Sequence, residues 1–392
     1  MAYKRLISRR HIMRLGLATL SGIGVVLGAK KIYPRQQISS FSNQEKNLRR
    51  DFTVSGKTPL RNRAASKGLI YGAAGNYPAL SSDEAFKKRF AQECGILVPE
   101  NELKWDTLRP TPYIFDFSKG DWLAQFAQRN NMLFRGHNLV WNQFMPEWFK
   151  EVVNRQNAEK FLVEHITTVT KHYVGQMHSW DVVNEGIDPN HGNPDGLANS
   201  PWLDFLGADY IELAFRVAAQ SDPKALLVYN EGGLKYDTPE HEARRTAVLK
   251  LLEHLKSRGT PIHALGMESH ILAHETRFNP KKLRTFLSDV ASLGLKIMIT
   301  ELDVIDQKLP ADPTLRDRIV AGAYQDFLSV VLDEKATIAV LTWGLSDRYT
   351  WISRFNSRSD AATVRPLPLD SDFKPKLGWN AIASSFDKAP KR

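Results

Sequence analysis

Cysteine is almost absent from this chain. Cys94 stands alone among 392 residues, so no intramolecular disulfide can staple the fold. Such a chain suits a reducing compartment, and equally a protein that folds before it is exported. A membrane-crossing run is missing where one would be sought: the weakly polar stretch from Leu15 to Ala29 is short of the ~20 residues a spanning helix needs. There is no His-x-His on an early strand, and His241-Glu242 and His274-Glu275 lack the second His of a zinc motif. Nucleophile elbows of Gly-x-Ser-x-Gly type and Walker phosphate loops are absent too. Cys94 precedes Gly95 near a strand start and reads as a small buried residue. Gly22, Gly24 and Gly28 follow no strand, so they are not a dinucleotide loop. Carboxylate chemistry remains, with no metal and no cofactor expected.

Acidic residues are scarce at one end only. The formal charge is +10, yet residues 1–67 carry 15 Lys/Arg against 2 Asp/Glu, leaving 38 against 41 for residues 68–392. The body is mildly acidic and shows no basic stripe interleaved with aromatics, so no nucleic-acid partner is expected. Ser8-Arg9-Arg10-His11-Ile12-Met13-Arg14, followed by the run from Leu15 to Ala29, resembles a bacterial twin-arginine export signal, which carries proteins already folded. This implies a periplasmic or extracellular destination, or membrane anchoring should the leader stay uncleaved. Residues 30–66 are polar and basic, with few aromatics, and read as a linker without a core of its own. Residues 67–392 are expected to form one folded unit, as a monomer.

From residue 68 on, short apolar runs alternate with amphipathic stretches. Strand candidates begin at Leu69, Ile96, Leu133, Ser179, Leu226, Ile262, Ile297 and Ile338. Between them Leu162, Ile166, Val169 and Tyr173 recur at helical spacing, as do Ala247, Leu251, Leu252 and Leu255 before a stop at Gly259. Eight such units predict an α/β fold, a single (β/α)8 TIM barrel. An open doubly wound sheet competes, but its glycine-rich first turn is missing.

Barrel chemistry sits at the carboxyl ends of the strands. Two apolar runs end there in glutamate: Trp180-Asp181-Val182-Val183-Asn184-Glu185 and Ile297-Met298-Ile299-Thr300-Glu301-Leu302-Asp303. Carboxylates from two rigid strands can flank one scissile bond, as acid-assisted glycoside hydrolysis requires. The other strand ends supply Glu100-Asn101 with Lys104, His137 with Trp141, Asn230-Glu231, Glu268-Ser269-His270 and Trp343. Indoles beside hydrogen-bonding groups suit a sugar, which has both apolar C–H faces and hydroxyls.

These residues resemble glycoside hydrolase family 10, the endo-β-1,4-xylanases, from about Leu69 to Phe386. The specific pieces are the two glutamate runs, supported by Glu100-Asn101-x-x-Lys104-Trp105, Gly136-His137-x-x-x-Trp141 and Thr342-Trp343-Gly344. The resemblance implies a retaining endo-1,4-β-xylanase acting on xylan and xylo-oligosaccharides through a covalent glycosyl-enzyme. Glu185 would be the acid/base and Glu301 the nucleophile. Asn184 would bond the sugar 2-hydroxyl, and His270 with Asp303 behind it would hold Glu301 ionised. Glu100, Asn101, Lys104 and His137 would line the glycone subsites. Trp343 would floor the cleavage subsite with Trp141 packed near it, and Trp351 would crowd the place of a hydroxymethyl group.

One residue departs from the family pattern: Glu268 stands where Gln is usual. A third carboxyl near Glu185 and Glu301 predicts a proton held near neutral pH or a shifted pH–rate profile. A related glycosidase for another β-1,4-glucan or mannan, and a carbohydrate-binding barrel without activity, are the alternatives.

Overall fold

Strands form where the short apolar runs sit. The computed structural model describes residues 49–275 and 277–392. The twin-arginine segment, the apolar run and residues 30–48 of the expected linker lie outside the described residues. The strands are β1 (Ile70–Gly75), β2 (Ile96–Pro99), β3 (Leu133–Gly136), β4 (Met177–Asn184) and β5 (Leu226–Glu231). They continue as β6 (Ala264–Met267), β7 (His270–Leu272), β8 (Lys296–Ile305) and β9 (Thr337–Thr342).

Each strand from β1 to β5 pairs in parallel with the next, β6 pairs directly with β8, β8 with β9, and β9 with β1. Eight strands therefore close into the (β/α)8 barrel that the alternation predicted. The apolar runs lack polar alternation because both faces are buried. Ile96, Val98, Val228, Met298 and Leu341 fill the barrel interior beneath Trp343, while a larger cluster packs strands against helices.

The ninth strand was not expected. Short β7 pairs only with the upper half of β8, setting His270 beside Asp303 in register. Since β8 runs for 10 residues, its lower half belongs to the barrel and its upper half carries β7 above the rim.

The two periodic stretches form the helices Ala158–His172 and Pro239–Ser257. Leu162, Ile166 and Val169 are buried, with Tyr173 just past the helix end. Gly259, at φ +63°, supplies the left-handed turn after the second helix.

The linker boundary at residue 66 needs correction. Phe52, Leu60 and Ala64 are buried in the main core, the last two on one face of the helix Leu60–Ala65. The Leu60 amide donates to Glu93 Oε2 at 2.9 Å, and Arg63 Nη1 pairs with Asp387 at 2.5 Å. Composition hid this because a few apolar side chains, Phe52, Val54, Leu60 and Ala64, do the anchoring in a basic stretch.

Candidate active site

The segment after β3 lies along β4. The Leu139 amide donates to Asp181 O and the Asn184 amide to Val140 O, each at 2.9 Å. This backbone pairing delivers Trp141 to Glu185, the first residue beyond β4. Glu185 has φ +50°, and its amide donates to Asn230 O at 3.0 Å. Trp141 Nε1 and Gln143 Nε2 both donate to Glu185 Oε2, at 2.9 and 3.0 Å. Burial pushes the Glu185 carboxyl up and the charge of Glu301 adds to it, against the opposing Trp141 bond.

Glu301 lies within β8, where the pairing with β9 shifts register between Ile299 and Leu302. His270 Nε2 donates to Glu301 Oε2 at 3.2 Å, and its Nδ1 stands 3.0 Å from Asp303 Oδ2. Trp351 Nε1 donates to the same Asp303 oxygen at 2.9 Å. Burial works against an imidazolium at His270, but Asp303 and Glu301 outweigh it and push its pKa to about 10. Burial would likewise raise Glu301, yet the His270 bond, then His137, His270 and Lys104, hold it below the ordinary carboxylate range. One glutamate is thus biased toward keeping a proton and the other toward losing it.

Between them sits Asn230, at the end of β5. Its Nδ2 approaches Asn184 Oδ1 at 2.7 Å and one oxygen each of Glu268 and Glu301 at 3.1 Å. Thr300 Oγ1 donates to Asn230 Oδ1 at 2.7 Å, which fixes the flip of the amide. Two N–H donors serving three acceptors must be shared, so the geometry favours a proton on one carboxyl.

The segment after β2 adds Glu100, Asn101 and Lys104. Lys104 Nζ donates to Asn101 Oδ1 at 3.2 Å, and Asn76 Nδ2 donates to Glu100 Oε2 at 2.9 Å. Burial lowers Lys104, opposed by the charges of Glu301, Glu100 and Asp106. His137 is buried with Nδ1 3.0 Å from Asp181 Oδ2, edge-on to Trp343 at 5.1 Å. Arg135 pairs with the other Asp181 oxygen, so β3 and β4 are tied together by charge below the site. Side-chain contacts thus gather residues singled out from sequence near the carboxyl ends of the strands, and Trp141 and Trp351 do more than pack, each binding a carboxylate.

Glu268 is 6 % exposed and accepts from Asn230. Burial first, then the charges of Glu301, Glu185, Glu231 and Asp181, raise its carboxyl well above the usual range. The Lys235 ammonium opposes this from behind; burial lowers it to about 8, against the pull of Glu268 and Asp303. Donor atoms of Glu268, His270 and Glu301 lie within 4.8 Å of one another, close enough for one cation. An imidazolium has no free lone pair, however, so this trio fits a proton better than a metal ion.

Paired carboxylates in an indole-lined cleft at a barrel rim have counterparts among known proteins. The family model "Glycosyl hydrolase family 10" matches residues 59–385. The chain belongs to glycosyl hydrolase family 10. Among curated relatives, endo-1,4-beta-xylanase 1 of Humicola insolens is 33 % identical over 333 residues, covering 83 % of this chain and 73 % of its own. The beta-1,4-xylanase of Dictyoglomus thermophilum is 34 % identical over 312 residues, covering 76 % and 83 %. The crystal structure of xylanase 10B from Thermotoga maritima superposes with a TM-score of 0.77 at 30 % identity, covering 84 % of this chain and 98 % of that one. Xylanase 10B from Thermotoga petrophila, solved with xylobiose, gives 0.77 at 29 % identity, covering 86 % and 99 %.

Within this family 10 chain, sequence reading missed Gln143 and Lys235. Neither ends a strand, so the strand-end rule could not find them. Asn230 was noted at a rim, but its central place is a product of folding.

Proposed function

We propose that this chain hydrolyses internal β-1,4-xylosidic bonds of xylan with retention at the anomeric carbon. The chain is a glycoside hydrolase of the endo-1,4-β-xylanase type; the roles of its residues and the two-step course are our reading. The observation that carries it is the opposed environment of the two glutamates: Glu185 raised by burial, Glu301 lowered by His270.

Glu185 would protonate the glycosidic oxygen as Glu301 attacks the anomeric carbon, forming a glycosyl-enzyme and freeing the leaving chain. Glu185, now ionised, would take a proton from water, which attacks the same carbon and releases Glu301. Asn184, oriented by Asn230, is suited to the 2-hydroxyl. His270 and Asp303 would keep Glu301 charged and aimed. Glu100, Asn101, Lys104 and His137 offer hydrogen bonds on one side, with Trp343 as floor and Trp351 filling the space of a hydroxymethyl group. Export through the twin-arginine segment and a monomeric state belong to the same reading and rest on sequence alone. Fusion of residues 1–29 to a reporter that folds before export would test the former.

Protein lacking residues 1–48 should release reducing sugar from xylan but not from carboxymethylcellulose or mannan. Glu185→Ala should lower xylan turnover about 10²–10⁴-fold, the span of general acid–base catalysis. An aryl xylobioside whose leaving group needs no proton should be affected less in its first step. Product NMR showing inversion would overturn the two-step course; hydrolysis of mannan or cellulose in preference to xylan would overturn the substrate.

A further inference from the structure

Phe144 combines an exposed aromatic side chain with a backbone conformation that aromatic residues rarely adopt. The residue is 43 % exposed, and its φ of +52° lies in the left-handed region, unfavourable for an aromatic residue. An exposed ring adds little to the core, and Gly or Asn would relieve the backbone. Strain retained at an exposed position marks a place where the side chain is wanted for its own sake.

What surrounds the ring shows where it lies. It stacks on Trp141 at 5.2 Å between centroids and 25° between planes, and Trp141 in turn donates to Glu185. Lys104 Nζ is 4.3 Å from the Phe144 centroid and 5.4 Å from that of Trp141. The Asp106 amide donates to Phe144 O at 3.1 Å, tying the loop after β3 to the segment after β2. The ring therefore borders the cleft beside Lys104 and Asn101, one aromatic step outward from the residue that binds the acid/base.

We propose that the open part of the Phe144 ring is a stacking platform for a sugar of the bound chain, on the Lys104 side and outward from the sugar being cleaved. A β-linked xylopyranose without a hydroxymethyl group presents flat C–H faces, which pack on an aromatic ring, while its hydroxyls stay free for Asn101 and Lys104. The platform adds affinity for a longer glycone without touching the reacting atoms. This inference rests on the xylanase reading of the same cleft.

Binding and turnover separate the two readings. Calorimetry of xylotetraose on the Glu301→Gln protein reports binding without hydrolysis; adding Phe144→Ala should weaken it about 5–10-fold, the effect of losing one stacking contact. In the otherwise native enzyme, Phe144→Ala should raise KM for an aryl xylobioside similarly with kcat within about twofold, as loss of uniform binding requires. It should leave an aryl xyloside unchanged, and Phe144→Trp should keep the native values. Undiminished xylotetraose binding, or equal loss on xyloside and xylobioside, would overturn the platform, the latter because the ring would then act through Trp141. A native enzyme that binds xylotetraose through Phe144 yet releases no sugar from xylan would sink the hydrolase reading and leave the platform standing.

Discussion

Glu268 shows how much one oxygen in place of an amide nitrogen changes this cleft. Its carboxyl is raised by burial and four neighbouring carboxylates, so the folded protein holds its proton more tightly than the unfolded chain, where a Glu titrates near ~4.3. The sign follows from linkage. This contribution to stability is full below the unfolded value and is lost as pH rises toward the folded one. Glu268→Gln remains neutral at every pH and can keep the contact with Asn230. The variant should match the native protein in acid, below the unfolded value, and become increasingly the more stable of the two as pH rises toward 8. Thermal melts across that range would decide the point, since parallel curves would mean the Glu268 proton is not held. Only the local residue type, read against the family pattern, revealed this difference; the four carboxylates around it came from folding.

At the scale of elements, the cleft rests on contacts between neighbouring strands. Arg135 on β3 reaches Asp181 on β4, and also lies 2.9 Å from Ser179 Oγ and 3.3 Å from Met298 Sδ. His137 shares the same carboxylate. Arg135→Met would leave buried Asp181 with a single titratable partner, and breaking a buried pair typically costs about 3–5 kcal/mol. Urea unfolding should show the loss as a lower midpoint; an unchanged midpoint would mean that His137 alone compensates Asp181. Strand β7 is the other such device. Its register with β8 sets His270 opposite Asp303, and the Leu272 amide donates to the Tyr236 hydroxyl at 2.7 Å, locking it to the loop after β5. Three residues above a barrel rim leave no periodic trace, which is why β7 was invisible while eight longer runs were readable.

The whole molecule depends on its lower end as well as its cleft. Phe52, Leu60 and Ala64 pack into the core, and the Arg392 amide and guanidinium bond Lys67 O, Thr337 O and Leu332 O. A chain beginning at residue 67 should be less stable than one beginning at residue 49 by at least about 3 kcal/mol, given that removing one buried Leu side chain costs 2–5. Differential scanning of the two truncations would check this. Equal melting would restore the linker boundary to residue 66.

Sequence by itself determined the barrel, because strands buried on both faces must be apolar throughout and the crossovers between them must be amphipathic. It also determined the two glutamates, since strand ends are the one place where a rigid backbone meets the cleft. Tertiary structure alone decided their unequal ionisation. That depends on His270, Asp303, Asn230, Trp141 and Lys104 converging from five separate segments, and on how far burial strips water from each charge. It likewise decided the place of Phe144, whose ring meets Trp141 and Lys104 because the loop after β3 runs along β4.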